Sequence, residues 1–220
     1  MNIADARDEI CRVGRSLFER GYVHATAGNI SVQLDDAQGH LITPTDACLG
    51  FLAPNKLAWV GPDGTQRAGD PASKTLAMHR RIYESDADAS CVIHTHSTHL
   101  VALTLAGVWR TDAVLPPITP YVVMKVGRVP LIPYRRPGDP AAAEAVAAAI
   151  VAARSAGRPI RAVLLDRLGP NVWHRTPAHA MAALEELEET ARVWLLAGRP
   201  ATPLDAAQLD DLHATFGARW

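Results

Sequence analysis

The chain has 220 residues, enough for one domain of ordinary size with a buried core. Its 22 basic and 23 acidic residues leave a net charge of −1, which favours a small-molecule partner over nucleic acid or a membrane surface. Three scattered cysteines, an acidic N-terminus and the lack of an apolar run of bilayer length predict a cytoplasmic protein without a disulfide framework, signal peptide or membrane span.

In the first half of the chain, helices are expected to alternate with short strands. Ile10, Val13 and Leu17 keep the spacing of one helical face, whereas short apolar runs between Gly, Pro, Asp and Thr indicate strands and tight turns. The predicted elements, in chain order, are a helix at 4–20, short strands at 28–62, a helix at 73–83, a strand at 90–95 and a helix at 97–106.

The second half contains a proline-rich stretch and then longer helices. Many prolines predict loops and short strands at 108–138, and Asp139-Pro140 is typical of the cap and first position of an alanine-rich helix. The remaining predicted elements are a strand at 161–165, a helix that begins at Thr176-Pro177 and a last helix at 204–215. Because no linker or repeat interrupts this mixture, we expect a single α/β domain over 1–220.

The first candidates for chemistry are His94 and His96, at the end of an apolar run. Side chains two residues apart on a strand point to the same face, so these imidazoles are expected to lie together. Neutral imidazoles suit zinc, but two hydrogen-bonded histidines at a strand end fit the same pattern. The spacing alone does not separate the two interpretations.

Three polar turns supply further candidates. Gly28-Asn29 can bring backbone N–H groups close to an anion, Thr45 lies in a second turn, and Ser73 opens a predicted helix whose N-terminus favours anions. Each also fits an ordinary turn or helix cap. Lys74 is unusual, because a cation in the first turn of a helix opposes the helix dipole, and this favours an anionic ligand nearby.

Taken in order, these motifs resemble the class II aldolase/adducin family of sugar-phosphate enzymes, from about residue 5 to about residue 200. The motifs that carry the resemblance are the segments 27–31, 43–45, 71–74 and 94–97. The segments that most resemble the branch of 3-oxo-tetronate 4-phosphate decarboxylases are 73–74, 119–124, 130–134, 136–139 and 185–190. The resemblance implies a three-layer α/β/α sandwich around a central mixed, largely antiparallel sheet, usually in a cyclic homotetramer with active sites at subunit contacts.

The resemblance also implies roles for particular residues. In the family's aldolases, three histidines hold a zinc ion and a glutamate acts as acid and base. His94 and His96 match the first two histidines, and Lys74 occupies the glutamate position. The family's phosphate-pocket positions are matched here by Gly28, Asn29, Thr45 and Ser73.

A lysine at position 74 fits decarboxylation better than aldol cleavage. A β-keto acid forms an enediolate by losing carbon dioxide, so no base has to remove a proton from carbon, and a divalent metal would polarise the keto oxygen. Lys74 could orient the leaving carboxylate or protonate the product, whereas a glutamate there would repel the substrate carboxylate.

One departure from the family pattern concerns the metal. Leu168 stands where the third zinc histidine is expected, and leucine cannot coordinate a metal. His174 is too far away, since six residues of extended chain span about 20 Å, and His79 and His99 fit buried structural histidines. Asp166 is the remaining oxygen donor that the sequence places nearby.

A second departure concerns the phosphate pocket. Asp46 stands where the family usually has glycine, and Ala72 stands where aldolases often have a hydroxyl. A carboxylate beside a phosphate pocket repels the phosphate unless it turns away or pairs with a cation. These positions indicate either a substrate without the usual phosphate or a degenerate site.

We therefore predict a metal-dependent carbon–carbon lyase that decarboxylates a 3-oxo-tetronate 4-phosphate or a similar β-keto sugar acid. The predicted cofactor is Zn²⁺ or another divalent metal. The predicted partners are a small sugar acid or sugar phosphate and, in a homotetramer, further copies of the chain. The alternatives are retro-aldol cleavage of a sugar phosphate and a non-catalytic aldolase/adducin-like binding protein, which Leu168 favours.

Overall fold

One mixed sheet of eight strands passes through the protein, whose computed structural model describes residues 1–35, 37–198 and 201–220. In chain order the strands are β1 (Asn29–Gln33), β2 (His40–Ile42), β3 (Ala58–Val60), β4 (Gln66–Ala68), β5 (Cys91–His94), β6 (Leu131–Ile132), β7 (Ala162–Leu165) and β8 (Gly169–His174). Their order in space is β4-β3-β2-β1-β5-β8-β7-β6. Neighbouring strands are antiparallel except β6 and β7, which are parallel, so the predicted mixed, largely antiparallel sheet is confirmed.

Helices cover both faces of this sheet. In chain order they are α1 (Ile3–Glu19), α2 (Leu76–Ser85), α3 (Thr98–Ala106), α4 (Pro120–Lys125), α5 (Pro140–Ser155), α6 (Pro177–Leu196) and α7 (Ala206–Phe216), with short 3-10 turns at Leu49–Phe51 and Pro54–Lys56. Helices α2 and α5 pack on one face through a core that includes Ile82, Val146 and Trp173. The other five helices share a larger core on the opposite face. The result is the predicted α/β/α sandwich.

Alternation along the strands decides which residues face which layer. Ile30 and Ile93 belong to the larger core, whereas Val92, one residue away, packs toward α2 and α5. Asn29 and His94 alternate with the isoleucines and therefore lie on the α2/α5 face. This alternation places the polar candidates of the sequence on the side of the two-helix layer.

The predicted start of α5 is confirmed in its detail. Pro140 is its first residue, and the side chain of Asp139 accepts a hydrogen bond from the backbone N–H of Ala141 at 2.9 Å. Such caps satisfy N–H groups that have no partner within the helix. Cap residues therefore locate this helix as accurately as its apolar pattern does.

Three local predictions were wrong. The segment Pro120–Lys125 is a helix, where loops and short strands were expected; Thr119 caps it by accepting from the N–H of Val122. Strand β8 was not predicted, because its Gly169 and Pro170 look like turn residues. Helix α2 begins at Leu76, so Ser73 does not open it and Lys74 precedes its first turn.

Among the described residues, no helix has both the length and the apolar character needed to cross a membrane.

Candidate active site

A cavity of about 320 Å³ opens at the N-terminal ends of α2 and α5, on the α2/α5 face of the sheet. Most of the sequence-predicted site residues line it. The predicted lining residues are Gly28, Asn29, Thr45, Ser73, His94 and His96. The lining also includes Asp46, Thr75, Met78, Arg136, Leu168 and Asn171. The structure therefore brings together four separate segments of the first hundred residues with two later loops.

The floor of the cavity is a row of side chains on three adjacent strands. Asn29 on β1 pairs with His94 on β5, and His94 pairs in turn with Asn171 on β8. Residues that are directly opposite in antiparallel strands have Cβ atoms about 4.5–5.5 Å apart on the same face. We call Asn29, His94 and Asn171 the ligand row. Its central member is the first of the two candidate metal ligands.

The two histidines lie against each other at the end of β5. Their ring centroids are 5.1 Å apart and their planes meet at 68°. Nδ1 of His94 donates to the backbone oxygen of Pro170 at 2.8 Å, because a carbonyl oxygen can only accept. The proton is thereby fixed on Nδ1, and Nε2 keeps the lone pair that a metal requires.

Both imidazoles are held in the neutral form. Burial and the neighbouring His96 lower the pKa of His94 to about 4, against the opposing effect of the hydrogen bond to Pro170. Partial burial of its ring and the nearby His24 lower the pKa of His96. A metal can therefore bind near neutral pH without first displacing a proton from either ring.

The structure gives each of the other histidines considered as a third ligand a different partner. The backbone N–H and Nδ1 of His99 both donate to Oε1 of Glu188, at 2.9 and 2.8 Å. His79 is fully buried, with Nδ1 2.8 Å from Oγ of Ser31. The ring of His174 stacks on His179. The interpretation of His79 and His99 as structural histidines agrees with these contacts.

In the part of the chain that the structure describes, no third His, Cys, Asp or Glu joins His94 and His96 in a metal-binding group. Leu168 lines the cavity, as expected for the residue at the position of the family's third histidine, and Asp166 does not line it. Taken by itself, the absence of a third titratable ligand among the described residues favours the alternative of a non-catalytic protein.

Two neutral oxygen donors were missed by the sequence analysis or given another role. Oδ1 of Asn29 and Oδ1 of Asn171 are buried and have no hydrogen-bond partner among the described residues. They belong to the two residues that flank His94 in the ligand row. Buried polar atoms are almost always paired, so unpaired amide oxygens beside two neutral imidazoles fit a site that holds a divalent cation together with a substrate. The residues present therefore suit the metal that the family resemblance implies.

The loops around the ligand row bring small and polar groups to the cavity. Gly28 has φ +87°, and a Cβ there would lie 2.8 Å from the backbone oxygen of His94, so only glycine fits. The backbone N–H of Ser73 donates to Thr43, and its Oγ lies 2.9 Å from Oγ1 of Thr75. Thr45 donates its backbone N–H to Pro71, which ties the two loops together.

Two cations lie near the cavity in different ways. Lys74 is exposed and lies between two lining residues, Ser73 and Thr75, but is not itself among the lining residues. Arg136 does line the cavity. The segment 136–139 contributes to the family resemblance, but its distance from the other motifs along the chain concealed the place of Arg136 at the cavity.

The conformation of Asp46 explains the glycine that the family usually has at this position. Its φ is +55°, in the left-handed region, where glycine is least strained and aspartate is among the better-tolerated alternatives. Asp46 is one of the residues that line the cavity. The departure at Asp46 therefore preserves the loop and adds a negative charge to the cavity.

The family model described as Class II Aldolase and Adducin N-terminal domain matches residues 8–195. The chain belongs to this family. It is 57% identical to a 3-oxo-tetronate 4-phosphate decarboxylase from Cupriavidus necator, over 97% of each sequence. The crystal structure of YgbL from Escherichia coli matches with a TM-score of 0.85 and 38% identity, over 96% of this chain and 98% of that one. An L-fuculose 1-phosphate aldolase shares the fold, with a TM-score of 0.79 and 21% identity over 97% of both chains.

These matches support an enzyme of the class II aldolase family. They also agree with the fold described above. The predicted family is confirmed, and its relatives include proteins named as decarboxylases and aldolases. The roles of individual residues stay predictions.

Proposed function

We propose that this protein is a metal-dependent lyase that converts a 3-oxo-tetronate 4-phosphate into dihydroxyacetone phosphate and carbon dioxide. The observation that carries the proposal is the identity of 57%, over nearly the full length, with a relative of that name. The cavity at the ligand row supplies the supporting geometry, since His94 and His96 both line it.

The reaction is a decarboxylation of a β-keto acid. The bond between C1 and C2 breaks, carbon dioxide leaves, and the electron pair passes through C2 to the keto oxygen at C3. A proton then adds to C2 and gives the ketose phosphate. A bound divalent metal would polarise the keto oxygen and lower the energy of the charge that develops there.

We assign the two ends of this substrate to different groups of residues at the cavity. We assign the metal and the keto group to His94 and His96, whose neutral rings need no proton loss. We assign the phosphate to the loops that carry Gly28, Thr45 and Ser73, which bring a glycine and two hydroxyl-bearing residues to the cavity. Asn29 lies between the two ends, in the ligand row and next to Gly28.

The substrate has two anionic groups, and the cations at the cavity match them. Arg136 lines the cavity, so we assign to it a contact with substrate anion. Lys74 lies between two lining residues, and we assign to its ammonium group the leaving carboxylate or the proton for C2. Asp46 opposes a phosphate, and the nearby cations offset that repulsion.

The test is a product assay with 3-oxo-tetronate 4-phosphate and with a ketose 1-phosphate as the competing aldol substrate. We expect release of carbon dioxide and dihydroxyacetone phosphate from the first and no cleavage of the second. Lys74→Glu separates the two chemistries, because it restores the aldolase acid–base group and should reduce decarboxylation. Cleavage of the ketose phosphate by the wild type would favour the aldolase.

A non-catalytic binding protein is the second candidate, because no third titratable ligand joins the histidine pair among the described residues. It predicts no turnover of either substrate and no bound metal. Zinc as the metal, a homotetramer and a cytoplasmic location belong to our main proposal. Light scattering with size-exclusion chromatography tests the tetramer.

A further inference from the structure

The metal site of the proposed function lacks one of the protein ligands that the family resemblance implies. Leu168 lines the cavity at the position of the family's third histidine and offers no donor atom. Two imidazoles alone make a weak zinc site unless another group completes it. The question is which side chain of this chain could replace the missing histidine.

Asn171 has the burial and the unsatisfied atom that such a ligand requires. It is 1% exposed, lines the cavity, and carries an Oδ1 without a hydrogen-bond partner among the described residues. Its Nδ2 donates to Sδ of Met78 at 3.4 Å. This contact orients the amide, so its nitrogen lies toward the sulfur and its oxygen is left free.

The register of β5 and β8 places this oxygen beside the first metal histidine. Asn171 is the cross-strand partner of His94, and the residue before it, Pro170, accepts the hydrogen bond from Nδ1 of His94. One short segment of β8 therefore both orients the imidazole and presents an amide oxygen on the same face of the sheet.

The chemistry of the atom limits what it can bind. An amide oxygen is an acceptor only, and leaving it buried without a partner costs the desolvation of that group. A cation satisfies it, and carbonyl-type oxygens are ordinary ligands of divalent metals. The neighbouring neutral imidazoles supply the nitrogen donors of the same ion.

We propose that Oδ1 of Asn171 is the third protein ligand of the metal held by His94 and His96, in place of the family's third histidine. This inference rests on the proposed metal-dependent function. Asn29 carries a second unpaired oxygen on the other side of His94. It adjoins the loop of Gly28, and we assign it to the substrate.

The test is a titration of the chelator-treated protein with Zn²⁺ alone, with a chromophoric chelator as competitor. Asn171→Leu keeps the size of the side chain and removes the donor, so zinc affinity should fall by about 100-fold or more, beyond the 10–100-fold typical of residues that only orient ligands. Asn171→Asp keeps an oxygen at the same place and should bind zinc at least as tightly as the wild type. Asn29→Leu, the matched control from the ligand row, should change the affinity by less than about threefold.

Thermal unfolding of the metal-free proteins separates a ligand from a structural residue. Without metal, Asn171→Leu should melt at or above the wild-type temperature, because it removes a buried oxygen that has no partner. A lower melting temperature of this variant without metal, or equal loss of zinc affinity in the Leu and Asp variants, would assign Asn171 a structural role and overturn the proposal.

The metal-dependent function and the role of Asn171 as a ligand can be disproved separately. If Asn171→Leu binds zinc like the wild type while His94→Ala binds none, the proposed function stands and Asn171 is not a ligand. If the wild type itself binds no zinc, the metal-dependent function fails and this inference fails with it.

Discussion

Two neighbouring rows of side chains on the α2/α5 face of the sheet differ in whether their polar atoms have partners. The first, which we call the core row, consists of Ser31, Val92 and Trp173. Each of these residues lies two positions along its strand from a member of the ligand row. Oγ of Ser31 lies 2.8 Å from Nδ1 of His79 and 2.6 Å from the hydroxyl of Tyr83. Nε1 of Trp173 donates to Oδ2 of Asp86 at 2.8 Å.

The ligand row lies in the same sheet and under the same helices, yet both of its amide oxygens are unpaired among the described residues. Polar side chains in this region of the sheet can find hydrogen-bond partners within the protein, as those of the core row show. In the core row, Oγ of Ser31 and Nε1 of Trp173 are both paired, although Nε2 of the adjoining His79 has no partner in the described part of the chain. Where polar atoms are left unpaired beside a cavity, we infer that a ligand completes them.

The largest effect should come from the centre of the ligand row. His94→Ala removes a metal ligand and should lower kcat/KM for decarboxylation by at least about 10³-fold, since a metal contributes several kcal/mol to charge stabilisation. Steady-state kinetics with added Zn²⁺ measure it. His99→Ala is the control, because His99 contacts Glu188 outside the cavity. A His94 variant with near-normal kcat would place the chemistry elsewhere.

A substitution of Arg136 at the cavity should weaken substrate binding, measured as KM, more than it slows the chemical step. Arg136→Ala should raise KM by about 10-fold, the loss of one charge-assisted contact at a partly open site. Arg135→Ala is a matched control, because Arg135 is the exposed neighbour and does not line the cavity. Equal effects of the two substitutions would show general attraction of an anion rather than a contact at Arg136.

A substitution in the core row should lower the stability of the protein and leave its zinc affinity unchanged. Ser31→Ala leaves His79 and Tyr83 without a shared partner, so the free energy of unfolding should fall by about 1–3 kcal/mol. Urea unfolding measures this change, and the zinc titration should match the wild type. Loss of zinc affinity in this variant would remove the distinction between the two rows.

The buried His79 should make stability depend on pH. Burial, together with the nearby His94 and His40, lowers its pKa from 6.5 to about 3. Below pH 6.5 the unfolded chain binds a proton that the folded chain excludes. The contribution of His79 to the free energy of unfolding is therefore fully present above pH 6.5. As the pH falls from 6.5 toward the folded pKa, this contribution decreases by about 1.4 kcal/mol per pH unit.

Urea unfolding between pH 7 and pH 4, with a chelator present, measures this dependence. His79→Asn keeps a polar partner for Ser31 but does not titrate, so its stability should fall less steeply with pH. The same slope in both proteins would show that other groups cause the loss.

The smallest effect is expected at Asp46. Its φ of +55° suits glycine better, so Asp46→Gly should stabilise the protein by about 1 kcal/mol or less. Removing the carboxylate should also lower KM for a phosphorylated substrate. Thermal unfolding and kinetics measure the two effects, and a higher KM would mean that Asp46 assists binding.

Local signals in the sequence located most elements and part of the site. The apolar run before His94 predicted β5, and Asp139-Pro140 predicted the start of α5. Proline-rich composition concealed α4, although Thr119 and Pro120 form an ordinary helix start. Tight spacing also made the histidine pair visible without a structure.

Long-range pairing explains what the sequence could not show. Asn171 comes near His94 only through the register of β5 with β8, and no spacing along the chain indicates that register. Arg136 reaches the cavity through a loop before α5. The unpaired oxygen of Asn171 becomes visible only when the partners of the buried polar atoms are assigned in the folded structure.

The measurement that tests the account most directly is the metal content of the purified protein by elemental mass spectrometry, with His94→Ala beside it. The account predicts about one zinc or other divalent metal per chain in the wild type, and little or none in the variant. A wild-type protein that holds no metal, even after zinc is added back, would contradict the lyase mechanism and favour a non-catalytic member of the family.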